Sequence, residues 1–190
     1  KEVCHIKDST DYMGLKQFGH IIGKELGEAL QFDSPSYKIF IDLDETLVSF
    51  DDGFKTIFGM STSSYEQKHG RAELIAKIES LDVNFWNDLK WFPNGKVLWD
   101  YIKKYNPTVI TSPSGKSSEI GKRKWVNYNL GSHVPIIFAK ADKKANYSGE
   151  NKILIDDLTS TIYQWIDKGG VGIHYISTFD TINKLKKLGL

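Results

Sequence analysis

Lys38-Ile39-Phe40-Ile41 is a short apolar run that ends in Asp42-Leu43-Asp44, two acids one residue apart. Runs this short, rich in β-branched and aromatic residues, read as buried strands. A buried strand closing on two carboxylates restricts the fold sharply. Each charge raises the pKa of the other, and burying the pair without compensation is costly. In open α/β sheets the ligand crevice lies outside the carboxyl ends of the strands, which is where such acids are useful. A hard divalent cation taking oxygen ligands, Mg2+ above all, is the simplest compensation. Taken alone, the same pattern also describes a polar turn after a strand, so the remaining chain has to decide.

The remaining chain repeats the motif of apolar run and polar ending. Thr108-Val109-Ile110 reads as a second strand and runs into Thr111-Ser112-Pro113-Ser114-Gly115. Val134 to Ala139 is a third. Lys152-Ile153-Leu154-Ile155 is a fourth, running into Asp156-Asp157, and Val171 to Tyr175 is a fifth. Helical spacings separate them. Pro93 opens one helix through Val97, Leu98, Tyr101 and Ile102. A basic helix spans about Ser117 to Leu130 with Ile120, Trp125 and Val126 on its apolar side. Ile162, Trp165 and Ile166 mark another, stopped by Gly169-Gly170, and a terminal helix runs to about Lys187. Strands alternating with helices of this length imply a parallel, doubly wound α/β sheet.

Two stretches stand outside that rhythm. Residues 51–92 show no strand-like alternation. Phe50, Phe54, Ile57 and Phe58 follow a helical interval, Ser64 begins a further helix through Leu74, Ile75 and Ile78, and Phe85, Trp86, Trp91 and Phe92 make an aromatic-rich close. This reads as a small helical insertion over the strand ends. Residues 1–36 precede the first strand and read as a helical arm of unknown role, with apolar residues from Leu15 to Leu30 at helical intervals and Asp11 as N-cap. His5 and His20 in that arm have no ligand spacing and are expected to be non-functional.

With 25 basic and 24 acidic side chains the formal net charge is +1, which argues against a long nucleic acid as the main partner. A single cysteine, Cys4, excludes an intramolecular disulfide and fits a reducing, cytoplasmic setting. No apolar run approaches the length of a membrane span, and no secretory signal stands at the start.

Three strands thus end in reactive polar groups: Asp42/Asp44, Thr111/Ser112 and Asp156/Asp157. Asp142-Lys143-Lys144, just beyond the third strand, can return a cation to the same edge. Carboxylates, hydroxyl, ammonium and a divalent cation together suit phosphoryl transfer, where positioning and charge neutralisation do most of the catalysis.

In these motifs the chain resembles the haloacid dehalogenase superfamily of phosphatases, over about residues 37–177. Asp42-Leu43-Asp44-Glu45-Thr46, then Thr111 closing a strand, then a lysine, then Asp156-Asp157 after Ile153-Leu154-Ile155 follow that family's order. The resemblance implies a sheet of order 3-2-1-4-5 with a helical cap, and Mg2+ as cofactor. Asp42 would be the nucleophile that forms an aspartyl-phosphate. Asp44 would be the general acid and then base, its backbone carbonyl also a metal ligand. Thr111, Ser112 and Lys143 would hold the phosphate, and Asp156 and Asp157 would complete or orient the metal sphere.

Within the superfamily the chain is most similar to 5'(3')-deoxyribonucleotidases. Phe50, eight residues after Asp42, matches their base-stacking phenylalanine, and Thr111-Ser112-Pro113, Lys124-Trp125-Val126 and Leu154-Ile155-Asp156-Asp157 also match. Glu45-Thr46 departs from the Gly-Val usual there. Asp-Leu-Asp-Glu-Thr-Leu-Val is also close to the phosphatases of the RNA polymerase II C-terminal domain. Those usually end in Asp-Asn and lack a helical cap, so residues 51–92 and Asp156-Asp157 favour a small molecule. The expectation is hydrolysis of a phosphate monoester, a nucleoside monophosphate, with Phe50, Trp86 and Trp91 walling the substrate pocket. A polymerase-tail phosphatase is the alternative, and a non-catalytic binding module a third that the intact Asp42/Asp44 pair counts against.

Overall fold

The structure, a computed structural model, describes residues 36–190. The expected helical arm, with its histidines and Asp11 cap, lies outside the described residues. Five strands form one parallel sheet: β1 (Lys38–Ile41), β2 (Thr108–Thr111), β3 (Ile136–Phe138), β4 (Lys152–Asp156) and β5 (Val171–His174). Their order is β3-β2-β1-β4-β5, as expected from the sequence. Register pairs Phe40 with Thr108 on one side and with Leu154 on the other. β2 and β4 each run one residue beyond the apolar run, so Thr111 and Asp156 are themselves strand residues.

Because side chains alternate across a strand, each strand feeds two cores. Ile39, Ile41, Val109, Ile153, Ile155 and Ile173 join the larger one. Phe40, Ile110 and Leu154 point into the smaller one, against Ile162 and Trp165. That two-sided burial explains why these strands read as continuous apolar runs rather than alternating ones. The larger core is covered by α5 (Gly95–Ile102), α6 (Gly115–Asn129) and α9 (Thr178–Lys187), through Leu98, Trp125, Val126 and Leu185. On the other face lies α8 (Thr159–Asp167). Ile120, expected on the apolar side of α6, is 40% exposed; the buried stripe of that helix is Ser118, Gly121, Lys122, Trp125 and Val126.

The insertion is helical throughout: α1 (Phe50–Phe58), α2 (Thr62–His69), α3 (Arg71–Glu79) and α4 (Val83–Asn87). The single helix expected from Ser64 onward is two, parted at Gly70, whose φ of 87° a helix does not allow. Hydrogen bonds stitch the root of the insertion, with Ser49 N donating to Lys90 O and Phe92 N to Leu47 O. A relay of caps orders its start. Glu45 Oε1 accepts from Asp51 N in the first turn of α1, and Asp51 Oδ1 accepts from Thr62 N and Oγ1 at the start of α2. The Glu45 that departs from the expected motif therefore satisfies a helix terminus. Its far end is seated on α6. Gly121 lies so close to Trp86 and Val83 O that a Cβ would come within 2.4 Å of Trp86 Cβ, and Trp125 Nε1 donates to Leu89 O at 2.7 Å. Among the described residues no helix is long and apolar enough to cross a membrane.

Candidate active site

Asp42 follows β1 and Asp156 closes β4, and the two strands are hydrogen-bonded neighbours, so parallel register brings both carboxylates to one sheet edge. Asp157 follows directly. One carboxylate oxygen from each of Asp42, Asp156 and Asp157 lies within 4.8 Å of the others. This is a donor set of hard anionic oxygens able to chelate a divalent cation. The side chains of Asp42 and Asp156 are 7% and 0% exposed.

One ammonium serves the whole cluster, and it belongs to Lys144. The short helix α7 (Ala141–Lys144) follows β3. Lys144 Nζ lies 2.8 Å from Asp42 Oδ1 and donates to Asp156 Oδ2 at 2.8 Å. Lys143, the lysine expected at the phosphate, is not brought to the site. Its side chain is 63% exposed and pairs with Asp142 at 3.1 Å. Adjacent residues on a helix are turned about 100° apart, so only one of the two could face inward.

The charges do not balance, and the carboxyls show it. Burial, with the charge of Asp42 beside it, raises the pKa of Asp156 to about 6 against an ordinary 3.8. Burial and the charges of Asp42 and Asp156 raise Asp157 to about 7. For Lys144 burial pulls downward, but Asp42 and Asp156 outweigh it and its pKa ends well above the usual lysine value. Asp156 Oδ1 also accepts from Leu158 N at 2.9 Å, which leaves Asp157 the less engaged of the pair. The Asp157 carbonyl lies 2.9 Å from His174 Nε2. A carbonyl only accepts, so that nitrogen carries the proton.

Asp44 stands apart from this cluster, bonded to a residue the sequence reading passed over. Lys122 Nζ, 1% exposed, donates to Asp44 Oδ2 at 2.5 Å, to Ser112 O at 2.7 Å and to Thr111 Oγ1 at 3.1 Å. The same ammonium lies 4.9 Å from the centroid of the Trp86 ring. Asp44 Oδ1 is buried with no hydrogen-bond partner. Burial pushes the Asp44 pKa up, partly offset by Lys122. Thr111 is fully buried beside this pair. Ser112 shares the edge, though its hydroxyl donates to Ala139 O at 3.2 Å. The available signal was helical spacing. Lys122 falls on the stripe formed by Ser118, Gly121, Trp125 and Val126, and a lysine on a buried stripe is almost always paired.

The three aromatics expected around the substrate do not line one open slot. Phe50 and Trp86 are stacked on each other, with centroids 5.2 Å apart and planes at 7°. Trp86 is 1% exposed. Phe85 meets both rings edge-on. Trp91 is turned edge-on to Trp125 at 4.9 Å. Phe50 and Trp91 are half-buried, and Phe50 is stacked on the buried Trp86. A separate cavity of about 780 Å³ opens between α1 and the segment leading to Pro93, with Trp91, Phe85, Asp52 and Lys90 among its walls.

No family model matches the sequence, and no curated protein does. Solved structures do. The chain is similar to a HAD-superfamily hydrolase from Ehrlichia chaffeensis, with a TM-score of 0.50 and 13% identity over 84% of this chain and 100% of that one. A hydrolase from Pseudomonas syringae aligns with a TM-score of 0.40 and 13% identity over 80% and 98% of the two chains. The described residues thus share the fold of the Ehrlichia chaffeensis protein, a 3-2-1-4-5 parallel sheet with flanking helices and a helical cap, and carry an aspartate cluster at the carboxyl edge.

Proposed function

We propose that the protein hydrolyses phosphate monoesters with Mg2+, through an aspartyl-phosphate on Asp42, and that its substrate is a nucleoside monophosphate. The observation that carries the reading is the cluster of Asp42, Asp156 and Asp157 with, among the described residues, Lys144 alone to balance it, beside a separate Asp44. A site with two uncompensated negative charges is built around a cation. Mg2+ supplies, when bound, the positive charge that lets one anion approach another and polarises the phosphoryl oxygens.

Asp42 attacks phosphorus, and the bond to the leaving oxygen breaks as the bond to Asp42 forms. Asp44 gives that oxygen a proton, then takes one from the water that cleaves the acyl phosphate. Lys144, rather than Lys143, holds the Asp42 carboxylate in place and offsets charge on the phosphoryl group. Thr111 donates to a phosphoryl oxygen. Asp157 is the direct metal ligand and Asp156, held by Lys144 and Leu158 N, the orienting one.

The nucleotide part rests on Phe50, half-buried and braced by Trp86, as a platform for a base. The helical cap over the strand ends supports a small substrate rather than a phosphorylated polypeptide tail. A panel of nucleoside monophosphates, sugar phosphates, p-nitrophenyl phosphate and a phosphopeptide tests it. Turnover should require Mg2+, vanish in EDTA and favour the nucleotides; Ca2+ should not substitute. Base stacking is worth about 1–3 kcal/mol, so Phe50→Ala should lower kcat/KM on nucleotides about tenfold and spare p-nitrophenyl phosphate. Preference for sugar phosphates would discard the nucleotide assignment alone, whereas activity surviving chelation would discard the metal.

A further inference from the structure

We propose that Lys122 is a positioning residue for the chemical step, setting which oxygen of Asp44 transfers the proton and leaving the Thr111 hydroxyl free to donate its hydrogen bond, without itself touching the substrate. The inference rests on the phosphatase reading and concerns a residue outside the cluster that reading was built on.

An ammonium has three N–H donors, and all three of Lys122 are occupied: Asp44 Oδ2, Ser112 O and Thr111 Oγ1. Its flank lies against the Trp86 ring. With 1% of its surface exposed and no donor left, it has nothing to offer a phosphate. What it does is remove alternatives from its neighbours. Thr111 has one hydroxyl proton. Because its oxygen accepts from Lys122, that proton is left to donate elsewhere. Asp44 has two oxygens. With Oδ2 tied to Lys122, Oδ1, buried and without a hydrogen-bond partner among the described residues, is the oxygen left to carry the proton that the leaving group takes and the attacking water returns. The net reaction balances as ester plus water giving alcohol plus phosphate, with Asp44 ending as it began.

A group that acts through a general acid has a signature that packing alone lacks. Protonation matters most when the leaving group is poor. Lys122→Met keeps the length of the stem and removes the donors. General-acid assistance is worth about 10²–10⁴-fold. The variant should therefore lose about 100-fold or more in kcat on glycerol phosphate but less than about tenfold on p-nitrophenyl phosphate, with KM little changed on either.

Removing Lys122 alone leaves Asp44 unpaired, so the same substitution is also made in an Asp44→Asn background, where both charges leave together and the fold is relieved. There Lys122→Met should cost less than about threefold in kcat, because the partner it acts through is already gone. Equal losses on the two substrates in a variant that melts like the wild type would overturn the proposal. So would a full-sized further loss in the Asp44→Asn background. Wild-type protein inactive on both substrates with Mg2+ would instead bring down the phosphatase reading, and this inference with it.

Discussion

Lys144 and Lys122 are both 1% exposed, and each binds an aspartate of the same Asp42-Leu43-Asp44 motif. Their surroundings differ in charge. Lys144 answers to three carboxylates, Asp42, Asp156 and Asp157, and leaves that half of the site about two charges short. Lys122 answers to one carboxylate and two neutral oxygens, so its half is closed. A balanced buried pair holds geometry. An unbalanced one stores electrostatic strain that a cation relieves, and the raised pKa values of Asp156 and Asp157 register it.

The largest test of that contrast is a pair of charge deletions. Asp42→Asn removes the proposed nucleophile, so turnover should fall by about 10³-fold or more. It also removes one excess charge, so the metal-free protein should melt no lower than the wild type. Asp44→Asn takes from Lys122 the carboxylate it pairs with among the described residues and should destabilise by about 3 kcal/mol, the cost of stranding one partner of a buried pair. Thermal melts in EDTA check both; if the two variants shift in the same direction, the halves are not different in kind.

A smaller effect should appear on changing pH. Asp156 and Asp157 titrate near 6 and 7 in the folded protein and near 3.8 when unfolded. Between those limits the folded, metal-free form binds more protons than the unfolded chain. Its stability from these groups is therefore fullest near pH 4 and declines as pH rises through about 6 to 7. Mg2+ needs the same carboxylates ionised, so its stabilisation should grow over that interval. Melting curves with and without Mg2+ at about pH 5 and about pH 8 measure it. An Mg2+ shift no larger at the higher pH would remove these carboxyls from the metal site.

The smallest effect belongs to the lysine that the sequence pointed to. Lys143→Met should change folding stability by less than about 0.5 kcal/mol, as for other exposed side chains, and leave kcat/KM within about threefold of the wild type. A loss of turnover as large as that of a Lys144 variant would reverse their assignment.

The sheet was legible because its strands are buried on both faces, and continuous runs such as Ile153-Leu154-Ile155 carry that burial in composition. Asp42, Thr111 and Asp156 were legible for a related reason: a strand end fixes where its last residue lies. The lysines were not, because each sits on a helix and is chosen by rotation. Nothing in Asp142-Lys143-Lys144 says which ammonium turns inward. Lys122 lies in a helix that reads simply as basic until Gly121 and Trp125 are seen to face the core. The aromatic cap was legible as a cluster but not as a shape. Phe50 is packed against Trp86 and Trp91 against Trp125, and sequence density cannot separate a packed stack from an open slot.

The seating of Trp86 on Gly121 has a consequence for timing. An insertion anchored only at its root, where Ser49 meets Lys90, would be free to swing. This one is also fastened along its last helix, where no side chain larger than hydrogen fits between Gly121 and the backbone side of Trp86 and Val83. Swinging it outward would mean breaking close-packed contacts and drawing the ring off the Lys122 ammonium. If the proposed turnover required the insertion to swing, each cycle would have to break and remake these contacts.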